Sequence, residues 1–522
     1  MPRGGEATHS RASVAAAIAV LVAATALGGC SAGGAGPGAS PMSVPFATAS
    51  PTATPDPRPG AAPIPTPQVV PGPPRLGPDR TGALVPRLAA MRTDTLAASA
   101  RWATPPGVTE FGEALTRRVE EALLAYVGER GVDWQPGVDL VAGGAAQPCW
   151  GGSFTTPTPS SLIVDCSIVV ASGPLLGERV SLNRHEAGAA SSVVREVWYA
   201  DAATGGVYGG ATLYAPGRES RVLSLVAEGL RATGRIEPGV DPFAGLGTDA
   251  RRAILADSAV TPAGVVISVA LAADVGRVVS VHVPARLLGP LLSEQGRAAL
   301  DAAAAGGDYA PSGAAVGDDP VDCSFVPCVS ITFDDGPSSL TPGLLDVLDR
   351  ERVVATFFVQ GSAVQASPDV AGRIVESGHQ IGNHTWRHPN LTKLTDEEVR
   401  RELTRTQQAI ASATGASASS MRPPYGASNA KVRGLVGLPV IVWDVDTRDW
   451  EEPGTDVVVD RAITQSSRGS IVLLHDTHQQ TVDAVPAIIA GLRGRGFALS
   501  TVAGQFDGGL PGPGTLVSHG PR

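Results

Sequence analysis

After residue 328 the chain alternates short β-branched runs with helical stretches, and that alternation restricts its fold more than any other feature. Residues 329–333, 353–359, 440–443 and 471–474 are rich in Val, Ile and Phe and short enough to be buried strands. Residues 344–350, 368–377, 396–414 and 482–493 carry apolar residues at helical spacing instead. The third of these helices opens on the capping box Thr395-Asp-Glu-Glu398, flanked by Leu394 and Val399 as a hydrophobic staple. Strands joined through helices run parallel, so the fold class is α/β, as a (β/α) barrel or an open sheet. In either architecture the chemistry gathers at the C-terminal ends of the strands.

Polar residues stand at those ends. Asp334 and Asp335 follow the run 329–333 directly, and adjacent carboxylates after a buried strand are costly unless cations or protons are shared between them. Asp-Gly-Pro is also good turn chemistry, so this pair alone is ambiguous. His384 and His388 change the balance. At i and i+4 they fall on one face of a helical turn, and with Asp335 they make three ligands for a metal ion that keeps positions open for water and substrate. Two imidazoles and a carboxylate suit zinc and also accept cobalt. Farther on stand Arg422-Pro-Pro-Tyr425-Gly426, Asp446-Thr-Arg-Asp449-Trp450 and Leu473-Leu474-His475-Asp476.

Taken in order, TFDDG at 332–336, His384-Thr-Trp-Arg-His388, RPPYG at 422–426, DTRDW at 446–450 and LLHD at 473–476 resemble the five motifs of the polysaccharide deacetylase family. That family includes chitin, peptidoglycan and rhizobial nodulation-factor deacetylases. The resemblance runs from about 328 to 502 and implies a distorted (β/α) barrel with fewer than eight regular strands. It implies a divalent metal, zinc or cobalt, on Asp335, His384 and His388, with Asp334 as general base. Arg422 would then hold Asp334 by an ion pair, and Asp449 would orient His475, the general acid, beside an apolar wall of Trp450 and Leu473. The backbone N–H of Tyr425 would help to stabilise the oxyanion, and Tyr425 itself would border the substrate. Such chemistry suits attack of water on an acetamide and protonation of the departing amine. The implied substrate is an N-acetylated cell-wall polysaccharide, peptidoglycan above all. An O-acetyl esterase and a non-catalytic wall-binding or sensing lipoprotein are the alternatives. Arg387 and Pro389 are expected to shape the cleft, and neither Asp476 nor His478 is assigned a role.

The remainder of the chain organises around this domain, expected at 321–510. A positive start, an apolar run at 13–27 and Leu27-Gly28-Gly29-Cys30 resemble a lipoprotein signal, which implies lipidation of Cys30 and anchorage on the extracytoplasmic face of the membrane. Residues 31–81 are dominated by Pro, Ala, Gly, Ser and Thr and read as a disordered tether. A smaller α+β domain is expected at 82–305, with helices over 113–128 and 222–233 and strands over 161–171 and 264–271. Its segment 254–300 resembles the extracellular domain of lysozyme-sensing anti-sigma factors, which implies contact with the wall or with lysozyme; a plain spacer is the other reading. A linker at 306–320 and a flexible tail at 511–522 complete the division. With Cys30 set aside, four cysteines remain, most simply paired as Cys149–Cys166 and Cys323–Cys328, other pairings staying open. A net charge of -10 without a long Lys/Arg run argues against nucleic acid as a partner.

Overall fold

The structure, a computed structural model, describes residues 65–81, 84–105, 108–140, 149, 160–189, 191–271, 278–310 and 321–521. The expected signal segment, Cys30 and most of the tether and linker lie outside the described residues. The end of the expected tether differs from expectation. Gln68–Val70 forms a strand, β1, because its β-branched pair finds an antiparallel partner in β10 (Val278–Pro284), a pairing that local composition cannot reveal.

The N-terminal region carries two sheets. The larger is six-stranded, in the order β2 (Val85–Arg92), β3 (Leu96–Thr104), β4 (Ser160–Ser172), β5 (Leu175–Glu186), β6 (Ser192–Asp201) and β7 (Gly206–Gly209). Only β3 and β4 pair in parallel, and the helix Thr109–Gly128 makes the crossover that a parallel pair needs. The smaller sheet runs β1, β10, β9 (Gly264–Ala270), β8 (Ser258–Thr261), with the helix Glu219–Ala232 packed in the same core. Spanning 65–310 against 321–521 for the barrel, this region is not the smaller domain that was expected.

The barrel is built on β11 (Cys328–Asp334), buried along its whole length. Around it lie β12 (Thr356–Val359), β13 (Gln380–Asn383), β15 (Val445–Asp446) and β16 (Ile471–His475), in the order β13-β12-β11-β16-β15 and parallel throughout. Two single-residue parallel bridges, Asn383 to Met421 and Met421 to Val440, connect β13 with β14 (Val440–Ile441), and the chain then runs on into β15. The ring is therefore closed, with one side made of bridges rather than a regular strand. β17 (Ala498–Leu499) adds to the N-terminal end of β11. Helices Thr341–Glu351, Pro368–Glu376, Asp396–Thr414, Thr455–Thr464 and Gln479–Gly494 surround it. The capping box at Thr395 and Glu398 is formed, and Leu394 and Val399 share one apolar cluster.

The expected flexible tail is structured. Leu516–Val517 (β18) pairs in parallel with β14, and Val517 is buried against Phe358, Ile441, Ile471 and Val502. A two-residue apolar contact of this kind offers no periodicity by which the sequence would announce it. Both disulfides, Cys149–Cys166 and Cys323–Cys328, have the simplest of the possible pairings. Among the described residues no helix is long and apolar enough to cross a membrane.

Barrel and N-terminal region share a core. Phe325, Val326 and Cys328, at the entry to β11, belong to the same buried cluster as Phe111, Leu115 and Trp102. Trp134 stacks on Phe325 with ring centroids 5.1 Å apart and donates its Nε1–H to the Phe325 carbonyl at 2.9 Å. Arg495 closes the junction on Asp139, guanidinium to carboxylate, at 2.9 Å. Phe325→Ala is therefore expected to lower the unfolding free energy by about 3–5 kcal/mol, the usual range for emptying a buried aromatic site. Chemical denaturation checks this, and a loss below about 1 kcal/mol would mean that the shared core contributes little.

Candidate active site

Strand alternation sends Ile331 and Phe333 outward to the helix-facing core and Thr332 and Asp334 into the barrel. On the neighbouring strand Val472 and Leu474 face the same outer core, and the register Thr332↔Leu473, Asp334↔His475 sets Leu473 and His475 beside the inward residues of β11. Leu473 is buried in the barrel interior, two residues below His475.

β11 stops at Asp335, whose φ of 75° is left-handed, a conformation that Asp tolerates better than most residues. The turn aims its carboxylate across the barrel mouth. Asp335 Oδ1 lies 3.5 Å from His384 Nε2 and 3.5 Å from His388 Nε2, and the three side chains offer ligand atoms within 4.8 Å of one another. His384 Nδ1 meets the Arg422 carbonyl at 2.7 Å, so Nε2 is the nitrogen turned to the cluster.

The two histidines do not sit on a helical turn, as their spacing suggested. Thr385 and His388 both have left-handed φ, 68° and 62°, and fold residues 384–388 into a loop that still converges both Nε2 atoms. A β-branched residue in that region is strained, and its surroundings compensate. Asn383 Oδ1 accepts from Thr385 N at 2.9 Å, Thr385 Oγ1 accepts from His388 N at 3.1 Å, and Glu402 accepts from the backbones of Trp386 and Arg387 at 2.8 and 2.9 Å.

Asp334 points into the same space. Arg422, fully buried, donates to its Oδ1 at 2.8 Å and to Thr332 Oγ1 at 2.7 Å, while Oδ2 faces His384 Nε2 at 3.8 Å. The guanidinium lies over Phe358, 4.2 Å from the ring centroid, so its position is fixed by packing as well as by hydrogen bonds. Opposite, His475 Nδ1 sits 2.8 Å from Asp449 Oδ1, and Asp449 Oδ2 accepts from the backbone of His475 and from Thr481 Oγ1, each at 2.7 Å.

Electrostatics divide these groups into two kinds. Burial favours neutral His475, but the hydrogen bond and charge of Asp449, helped by Asp334 and Asp335, outweigh it and push the imidazole up to about 9. Burial lowers His388 and prevails over Asp335, a shift toward the form in which an imidazole ligates a metal. Asp335 is below the ordinary carboxylate range: burial opposes this, but His384, His388 and the Gln360 amide together exceed it.

Tyr425 and Trp450, 69% and 51% exposed, flank the mouth, and the Tyr425 ring meets His388 edge-on with centroids 4.6 Å apart. Tyr425 has a φ of 62°, and its backbone N–H makes no hydrogen bond among the described residues. Gln360, Glu402 and Thr481 were not singled out in the sequence. Gln360 donates to Asp335 Oδ1 at 2.7 Å, and its position directly after β12 was the available signal. Glu402 lies within a helix rich in exposed charges and carried none. Asp476 is wholly buried and pushed up to about 7 by that burial, against the Thr341 hydroxyl, which it accepts; His478 lies 3.7 Å from Glu452 at the rim.

With this geometry in hand, residues 324–437 match the family described as polysaccharide deacetylase. The peptidoglycan-N-acetylglucosamine deacetylase PgdA of Listeria monocytogenes is 43% identical over 175 residues, 33% of this chain. The chain thus spans only 38% of the length of that relative. The chitooligosaccharide deacetylase of Rhizobium leguminosarum bv. trifolii is 41% identical over 192 residues, which are 33% of this chain and 89% of that relative. Among solved structures, a family 4 carbohydrate esterase from Streptomyces lividans in complex with acetate is 36% identical, with 36% of this chain and 98% of that chain covered and a TM-score of 0.34.

Proposed function

Because the chain belongs to the polysaccharide deacetylase family, we propose that it is a hydrolase removing N-acetyl groups from cell-wall amino sugars, peptidoglycan above all, with a divalent cation on Asp335, His384 and His388. The observation that carries this reading is the convergence of two chemically distinct halves. One is a carboxylate within 3.5 Å of two histidine Nε2 atoms; the other is a histidine kept protonated by a buried aspartate. The donor set fits the cation, since two imidazole nitrogens and one carboxylate leave open positions and the Arg422 carbonyl fixes the tautomer of His384. When bound, zinc or cobalt supplies Lewis-acid polarisation and acidifies water.

The chain's own groups do the rest. Arg422 pins Asp334 through Oδ1, so Oδ2 is the oxygen free to take a proton from the attacking water. The Tyr425 N–H is available to the oxyanion that forms as the acetamide carbon turns tetrahedral. His475, protonated and oriented through Nδ1 by Asp449, presents Nε2 to the departing amine, which leaves as a neutral group once it receives that proton. Tyr425 and Trp450 offer exposed rings along which a sugar chain can lie.

Product analysis tests the reading. Free amine and acetate are expected from peptidoglycan and from N-acetylglucosamine oligomers, and acetate from an acetyl ester alone would overturn the amide assignment. The acid role has a pH signature of its own. A His475 pKa raised to about 9 means that the proton is present below that pH and lost above it, so kcat/KM should fall on the alkaline side near 9. Asp449→Asn removes the main groups that raise it, and the falling limb is expected to move down toward the ordinary histidine value of about 6.5. A limb that stays in place would exclude His475 as the titrating acid.

A further inference from the structure

The N-terminal region holds a groove of about 870 Å³. One wall is a face of the six-stranded sheet, where Asp165, Ser181 and Arg195 stand in register across β4, β5 and β6 and Arg179 lies two residues along β5. The other wall is β10 with β1 and the strap 71–75, which brings Arg75; Arg235 contributes from beyond the helix Glu219–Ala232. Four guanidiniums thus line the groove against one carboxylate, Asp165, which also faces the buried Arg101. This local excess of positive charge occurs in a chain whose net charge is -10.

The arginines are not consumed by the fold in equal measure. Arg179, 7% exposed, is ion-paired with Asp257, yet its Nε is buried without a hydrogen-bond partner. The side chains of Arg75 and Arg195 make no hydrogen bond or ion pair with any described residue. Burial and the charges of Arg179 and Arg75 hold Arg195 below the ordinary arginine range, although Asp257 works the other way. Gathering like charges on a half-buried surface is unfavourable unless an anion offsets them, and guanidiniums match the planar, two-oxygen geometry of carboxylates and phosphates. The volume exceeds what one small anion fills. We propose that this groove is a binding site for a ligand carrying more than one carboxylate or phosphate group, held by the side chains of Arg75 and Arg195.

Calorimetric titration of the full chain in detergent, at constant ionic strength, tests this with citrate as the polycarboxylate and pyrophosphate as the phosphate. Saturable binding with one ligand per chain is expected, weakened at least tenfold by Arg75→Ala/Arg195→Ala. Arg75→Ala alone, in an exposed strap where folding is not at stake, should weaken it in the same direction. Arg350→Ala, an exposed arginine elsewhere, should leave binding unchanged, and turnover of a soluble chitooligosaccharide should be unaffected by all three variants. Preference for one probe identifies the acidic group; equal affinity assigns the site to oxyanions generally. Absence of saturable binding, or equal loss in Arg350→Ala, would overturn the proposal.

Discussion

Asp334→Asn is expected to lower kcat by about 10²- to 10⁴-fold, the usual contribution of a positioned general base, while the protein still takes up one equivalent of zinc. The separation follows from the geometry. Asp334 Oδ1 is engaged by Arg422, and Oδ2 lies 3.8 Å from His384 Nε2, farther than the 3.5 Å at which Asp335 approaches both histidines. An amide at 334 keeps an oxygen for Arg422 but loses the basic one. Both substitutions remove the counter-charge of the buried guanidinium, but only Asp334→Ala also removes its hydrogen-bond acceptor, so Asp334→Ala should unfold more readily and Asp334→Asn is the variant to assay. Equal loss of metal in Asp334→Asn and Asp335→Asn would mean that the adjacent aspartates do not divide the two roles.

The second large effect concerns the cation. His384→Ala should abolish tight zinc binding and reduce kcat/KM by more than about 100-fold, since even residues that merely support a ligand account for about 10- to 100-fold. Gln360→Ala, which removes only the amide donated to Asp335, is expected inside that lower range. Chelation of the unaltered protein should mimic His384→Ala, and added zinc or cobalt should restore the unaltered protein alone. Direct metal analysis beside the rates makes the test decisive: full turnover in metal-free His384→Ala protein would refute the assignment.

Much of the barrel was legible because its strands and helices are locally consistent. The helix Asp396–Thr414 declares its start through the capping box, β16 is a continuous apolar run that ends on His475, and β11 is a run rich in β-branched and apolar residues that ends on Asp334. β13 was not legible. Gln-Ile-Gly-Asn holds a single apolar side chain, and it is a strand only because β12 supplies a parallel partner and Gly382 leaves room for the Phe358 ring, which a Cβ there would meet at 2.4 Å. The helix Thr455–Thr464 was passed over as well, although its Val457, Val458 and Val459 read as easily as a strand; packing on the barrel decided between them.

The residues that meet at the barrel mouth were named in the linear chain, Asp335, His384 and His388 as a possible ligand set and Asp334, Arg422, Tyr425, Asp449 and His475 through the resemblance of their motifs to the family. Their geometry was not. The left-handed turns at Asp335, Thr385, His388 and Tyr425, the partners Gln360, Glu402 and Thr481, and the closure of the ring through Met421 depend on contacts between segments far apart in sequence. The same holds for β18 at the C-terminus and for the core that Phe325 shares with the N-terminal region. Local patterning carries the identity of side chains and the period of their burial; where a backbone is strained or a strand is only two residues long, the stabilising free energy comes from distant partners, and the fold alone brings those together.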